Sequence, residues 1–430
     1  MFNIGTVNES IALAFPDREA IVFRDRRITY GALNDRTRRL ANYLVSCGLG
    51  VHRPRSALKA WESGQDHLAL YLFNGNEYLE GMLGGYKARV APFNVNYRYV
   101  EEELEYLLNN AKARAIIYHA SFAPRVAAVR AKVSSLEVLI QVADDSGHAL
   151  LPGAVDYESV LARSSGERAK VDPSPEDLYI LYTGGTTGMP KGVLWRQADI
   201  LVAALGGRGA DGSIMQTLDQ YVERAKVAAM KTFPVAPFMH GAGHWIALSA
   251  LHQGNTVFIQ NDVERLDPAD ILALIGREKI NFLQIVGDAF ARPIVDAIRS
   301  GAYDLSSLAI ILSGGAPLNA SMKREILELL PNVTIIDGLG SSEAGGQGMQ
   351  VSNRQTGAST GKFVPGVDNI VVDEALTRVL PPGHDGMGWW AKQGYVPLGY
   401  LDDAAKTERT FVTIGGVRFA VPGDRARHLA

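Results

Sequence analysis

The feature that most restricts this chain is its rhythm from Asp177 onward. Short apolar runs at residues 178–182, 257–260, 282–286, 309–312 and 333–336 alternate with helix-period segments at 245–251, 268–275, 289–299 and 321–330. Strands alternating with amphipathic helices build parallel sheet through right-handed crossovers. The first 175 residues carry a looser version. Leu33, Leu40 and Leu44 mark one helix face, and Leu104, Leu107 and Leu108 another. Strands are expected at 115–119 and 136–142, with a helix near 124–132. Beyond Gly345 the helical signal fades, and residues 361–399, rich in Gly, Pro and Val, suggest a β unit. The expectation is an α/β fold. It has two mainly parallel-sheet αβ lobes, 1–175 and 176–345, and a smaller β-rich subdomain, 346–430.

Composition narrows the class. Hydrophobic residues are 47% and charged residues 21% of 430, enough to bury several cores without disulfide or metal staples. A net charge of −3 argues against nucleic acid or an anionic membrane as the main partner. No run approaches the ~18 apolar residues of a membrane helix, and residues 1–14 lack the basic and apolar regions of a signal peptide. The single cysteine, Cys47, excludes an internal disulfide framework and suits a reducing cytoplasm. It reads as a small buried hydrophobe, with a catalytic thiol as the alternative.

The strongest local signal is Thr183-Gly-Gly-Thr-Thr-Gly-Met-Pro-Lys-Gly192, directly after an apolar strand. Glycines at 184, 185 and 188 permit close backbone approach. Successive N–H groups, the Thr183, Thr186 and Thr187 hydroxyls and the Lys191 charge can ring an anion, as a polyphosphate cradle does. Pro190 before the lysine and Gly192 after it separate this loop from the nucleotide P-loop and from the dinucleotide fingerprint. Three other constellations admit two readings each. His240 and His244, four apart, suggest a metal pair but lack the Glu of His-Glu-x-x-His and a third ligand. Gly340-Ser-Ser342-Glu-Ala344 nearly forms a nucleophile elbow but lacks its final Gly, and neither His384 nor His428 has a convincing context. Gly241, Ala242 and Gly243 are small and leave room for a bulky acyl group.

The loop resembles the signature of the adenylate-forming superfamily of acyl-CoA synthetases, luciferases and peptide-synthetase adenylation domains. The likeness runs nearly end to end. It includes Pro16-Asp-Arg-Glu-Ala20, Ile28-Thr-Tyr-Gly-Ala-Leu33, Asn74-Gly-Asn-Glu-Tyr78, Val90-Ala-Pro-Phe-Asn-Val-Asn-Tyr97 and Gly192-Val-Leu-Trp-Arg-Gln197. The last three point toward actinobacterial fatty-acyl and sterol side-chain CoA ligases. The resemblance implies roles for further residues. Asp337, Gly338, Leu339, Gly340, Ser341 and Ser342 would contact the nucleotide, Leu339 standing where the family has an aromatic residue. Glu343, with Thr186, would hold Mg²⁺. Gly314, Gly315, Ala316 and Pro317 would line the adenine and acyl pocket, His240 would border the acyl site, and Asp424 would bind ribose.

The activity implied is ATP-dependent conversion of a hydrophobic carboxylic acid to its acyl-adenylate, then to a thioester of coenzyme A. Two alternatives share the motifs: another acceptor such as a carrier-protein thiol, and a non-catalytic nucleotide- or lipid-binding short form. The family continues past its ribose aspartate into a C-terminal lid domain that supplies a lysine. With Asp424 six residues from Ala430, the expectation is weak adenylation and little thioester synthesis. The expected partners are the acid, ATP and CoA, with no nucleic acid and with a homodimer admitted.

Overall fold

The computed structural model describes residues 2–184 and 188–429. Its α/β class is the one expected. A nine-stranded sheet runs in the order Val364–Pro365, Gly345–Ser352, Thr334–Ser341, Ile310–Gly314, Phe282–Ile285, Lys231–Pro234, Thr256–Ile259, Glu19–Phe23, Arg26–Thr29. Its six central strands, from Thr334–Ser341 to Glu19–Phe23, are mutually parallel. Antiparallel strands close both edges. A second, five-stranded parallel sheet runs Ala91–Asn94, His67–Tyr71, Ala113–His119, Val138–Val142, Ala154–Asp156. A three-stranded antiparallel sheet joins Gly399–Tyr400, Lys191–Arg196 and Leu178–Thr183. The β-rich unit is built on Asn369–Val372, Gly388–Gln393, Val417–Ala420 and Phe411–Ile414.

Strands cross both of the boundaries expected from sequence. Glu19–Phe23 and Arg26–Thr29 pair into the sheet of the second lobe. Gly345–Ser352 folds back as a hairpin on Thr334–Ser341 and stays in that sheet. Sheet membership thus does not follow the contiguous division at 175 and 345. Period and composition mark where elements lie along the chain, whereas sheet membership is decided by long-range pairing.

Between the sheets lies a core of helices. Tyr30–Ser46 starts at Thr29, whose hydroxyl accepts the Ala32 N–H at 3.2 Å. It buries Tyr30, Leu33, Thr37, Leu40, Ala41 and Leu44 along one face. Asn76–Lys87 is buried all round. Its Gly84 lets the Tyr30–Ser46 helix close in, because a Cβ there would stand 2.7 Å from Leu40. At this junction the Lys87 amine donates to Asn34 Oδ1 and Thr37 Oγ1 at 2.7 Å and to Asn8 Oδ1 at 3.1 Å. No helix among the described residues is long and apolar enough to cross a membrane.

Candidate active site

The glycine-rich segment joins two antiparallel strands. Leu178–Thr183 runs antiparallel to Lys191–Arg196, with Thr183 opposite Lys191. A strand rather than a helix follows the loop, which is why the Lys-Gly ending differs from that of a P-loop. Gly185, Thr186 and Thr187 lie outside the described residues. Thr183 and Gly184 line a cavity of about 770 Å³. Gly188 is exposed beyond it. Lys191 is half-buried and ion-paired to Asp403, the N-cap of helix Ala404–Thr410. Asn94 anchors the base of the loop. Its amide accepts the Tyr182 N–H at 2.7 Å and donates to the Tyr182 carbonyl at 2.8 Å and the Met239 carbonyl at 2.7 Å.

The Met239 bond ties the loop to the turn that starts helix Gly241–Leu251. His240 caps this helix and opens onto the cavity, as do Gly241 and Ala242. The surrounding protein, and after it the Arg98 guanidinium, push the His240 imidazole below its ordinary range. Gly243 does not line the cavity. Its Cβ would stand 2.6 Å from the Ala236 and Pro237 carbonyl oxygens. Its smallness serves backbone packing, so two of the three small residues line the cavity.

His244 is no metal ligand. It is buried, and burial pushes its imidazole down to about 4. Both ring nitrogens are committed: Nδ1 donates to the Phe238 carbonyl at 2.7 Å, and Nε2 accepts from the Tyr179 hydroxyl. The Tyr179 oxygen in turn accepts the Trp245 indole N–H at 2.6 Å. The relay fixes the indole that walls the cavity beside Gly241 and Leu181. Among the described residues there is no group of three or more His, Cys, Asp or Glu side chains placed to hold a metal. Cys47 is half-buried at the end of Tyr30–Ser46 and is absent from the cavity lining.

The opposite wall is made of sheet ends. Gly314 and Gly315, leaving strand Ile310–Gly314, line the cavity, and Gly315 takes a φ of 86°. Ala316 and Pro317 are exposed and lie outside the lining. Gly338, Leu339, Gly340, Ser341 and Ser342 form the next stretch of wall. Asp337, one residue earlier, does not reach it. Strand alternation turns its carboxylate to the other side of the sheet, into an ion pair with the fully buried Lys323. Ser342 and Glu343 sit in the turn of the hairpin, held by the Trp195 indole N–H donating to the Ser342 carbonyl at 2.9 Å. This is a strand-to-strand turn and not a strand-to-helix elbow, and no histidine among the described residues bonds the Ser342 hydroxyl. The hydrolase alternative loses its geometry.

Glu343 is half-buried and accepts the Tyr400 hydroxyl at 2.7 Å. Among the described residues it has no ion-pair partner, although the Lys406 ammonium acts on it electrostatically. A hard cation bridging phosphates takes one or two carboxylates and keeps several waters. Of the two carboxylates near the loop, Asp403 is paired to Lys191 and Glu343 is left, which fits Mg²⁺ on that count. Asp424 opens on a second cavity of about 690 Å³, whose wall also includes Leu339, Phe363 and Trp390. Leu339 is thus common to both cavities.

A body of this topology, with its anion loop and its carboxylate-bearing hairpin set around one cavity, has the architecture of adenylate-forming enzymes. The chain belongs to the AMP-binding enzyme family, whose model matches residues 9–401. It is 51% identical over 431 residues to the medium-chain acyl-CoA ligase Mig of Mycobacterium avium, covering 100% of this chain and 78% of that protein. It is 36% identical over 434 residues to a medium/long-chain-fatty-acid–CoA/3-oxocholest-4-en-26-oate–CoA ligase of Mycolicibacterium smegmatis, covering 99% and 76%. Among solved structures, the anthranilate CoA ligase AuaEII in complex with anthranoyl-AMP matches with a TM-score of 0.77 at 20% identity, covering 99% of this chain and 75% of that one. The N-terminal domain of FACL13 from Mycobacterium tuberculosis matches with a TM-score of 0.77 at 19% identity, covering 99% and 97%. The structural likeness, at these identities, speaks for the fold.

Proposed function

We propose that this chain activates a hydrophobic carboxylic acid, a medium-chain fatty acid or a sterol side-chain acid, with ATP and passes the acyl group to coenzyme A. The observation that carries the reading is the 770 Å³ cavity, in which the anion-loop base meets an apolar arm of Leu181, Ala204, Gly241, Ala242, Trp245 and Ile246. In the first step a carboxylate oxygen attacks the α-phosphorus and the bond to the β-phosphate oxygen breaks, releasing pyrophosphate. In the second, the thiol sulfur bonds the acyl carbon, AMP leaves with the electron pair of the broken C–O bond, and the thiol proton passes to solvent.

The chain's own residues act by positioning and charge. Loop N–H groups and Lys191 would hold the outer phosphates. Lys191 must exchange Asp403 for them. Asp424 would accept the ribose hydroxyls, placing the base over Leu339 at the meeting of the two cavities. Neutral His240 presents an imidazole to the acyl carboxylate without competing as a cation for the phosphates. Glu343 would hold Mg²⁺, which supplies charge neutralisation at the phosphates when bound.

Acid-dependent exchange of labelled pyrophosphate into ATP tests this reading across acetate, octanoate, palmitate and a sterol side-chain acid. Exchange with octanoate or larger acids, and not with acetate, is expected. Exchange fastest with acetate or with amino acids would overturn it.

A further inference from the structure

Tyr400 has no role in the reading above, yet it is tied into the site at backbone, ring and hydroxyl. It is 2% exposed. Its main chain pairs with Val193, two residues past the anion-loop lysine, and its N–H donates to Thr407 Oγ1 at 2.9 Å. The next residue's N–H donates to the Gly192 carbonyl at 2.8 Å. The ring packs against Phe411 at 5.8 Å, and the Lys406 ammonium lies 4.1 Å from its centroid. From this fixed base the hydroxyl reaches Glu343 Oε1 at 2.7 Å, across 57 residues of sequence.

We propose that Tyr400 is a positioning residue for the magnesium carboxylate: its hydroxyl pins one oxygen of Glu343 and leaves Oε2 to the cation. The inference rests on the reading of Glu343 as the Mg²⁺ ligand. The alternative partner for Glu343 is close by. Lys406 and Glu343 act on each other electrostatically, and Lys191 lies in the same charged group with Asp403. Without the hydroxyl, the carboxylate is drawn toward the Lys406 ammonium, and an entering cation has to break that pair. Partners that orient metal-binding side chains are typically worth ~10–100-fold in metal affinity.

The test uses binding alone. ATP is titrated calorimetrically into the full chain with EDTA and again with saturating Mg²⁺, and the ratio of the two dissociation constants is the magnesium increment. Glu343→Gln is expected to abolish the increment. Tyr400→Phe keeps the ring and its packing. It should leave the EDTA constant unchanged and cut the increment by at least about tenfold. Tyr400→Phe with Lys406→Met should recover part of the increment, because the competing ammonium is gone. If Glu343→Gln loses the increment and Tyr400→Phe retains it, the positioning role is overturned while the Glu343 assignment stands. If Glu343→Gln retains it, the Glu343 assignment fails and takes the inference with it. An equal loss in EDTA and in Mg²⁺ for Tyr400→Phe would mean a structural role only, and would also overturn the proposal.

Discussion

Gly241→Leu is the sharpest probe of the acyl arm. A Cβ at residue 241 would stand 3.2 Å from the Trp245 ring and 3.3 Å from Leu181. Both neighbours are held: Trp245 by the Tyr179 relay and Leu181 within the signature-loop strand. The remaining carbons of the leucine therefore have only the cavity to enter. They displace a similar number of ligand methylenes, at about 0.8 kcal/mol each. Roughly 2.4 kcal/mol, or on the order of 50-fold in affinity, is lost for an acyl chain long enough to fill the arm. An acetyl group does not reach that far and loses nothing. The assay is competitive binding of non-hydrolysable acyl-adenylate mimics from acetyl to palmitoyl and a sterol side chain, with circular dichroism as the folding control. Equal weakening of the acetyl and palmitoyl mimics would place residue 241 at the carboxylate end and refute the reasoning. So would unchanged binding of both.

Three further outcomes follow from the interior. Burial pushes the Lys87 amine down to about 7, whereas the unfolded chain keeps the proton to near 10.5; the unfolded state then binds more protons between these values, so the stability contribution rises with pH across that window. Urea unfolding of Lys87→Met should be flatter with pH than the parent by up to about 1.4 kcal/mol per unit between pH 7 and pH 10, and parallel profiles would contradict it. Lys323→Met strands the Asp337 carboxylate in the sheet and should cost ~3–5 kcal/mol in denaturant unfolding, with most of it recovered in Lys323→Met/Asp337→Leu. Tyr179→Phe leaves the Trp245 N–H and His244 Nε2 without partners, at about 1–3 kcal/mol each; indole fluorescence should shift and discrimination between octanoyl and palmitoyl mimics should relax, whereas an unchanged spectrum would show that the relay does not hold the indole.

What the sequence could convey depended on the range of the interaction. The parallel strands between 256 and 341 were legible because period and flanking turn residues are local properties. The loop stood out because glycines, hydroxyls and a lysine at one strand end are a chemical statement within ten residues. The side to which a residue points was harder. Asp337 and Gly338 are neighbours in one motif, yet one pairs with Lys323 and the other walls the cavity. Gly243, read from sequence as acyl room, lies against the Ala236 and Pro237 carbonyls. The Tyr179–Trp245 and Tyr400–Glu343 bonds span 66 and 57 residues. A lone tyrosine in a strand carries no local mark of such a bond. Asn94 stood inside a resembling segment, and only the fold revealed it as the staple between loop and helix start.

The strand Glu19–Phe23 carries a consequence for how the chain is made. Its partner on the inner side is Thr256–Ile259, and Thr256 Oγ1 donates to the Glu19 carbonyl across 237 residues. At a ribosomal pace of ~5–20 residues per second, the wait between the two is roughly 12 to 50 seconds. Throughout it Ala20, Ile21, Val22 and Phe23, all buried in the finished sheet, have the Arg26–Thr29 strand and the Tyr30–Ser46 helix beside them but lack their inner partner strand. The nascent chain thus emerges with an apolar strand edge that stays unpaired until Thr256–Ile259 has been synthesised, and such an edge invites holdase chaperones or pairing between neighbouring nascent chains.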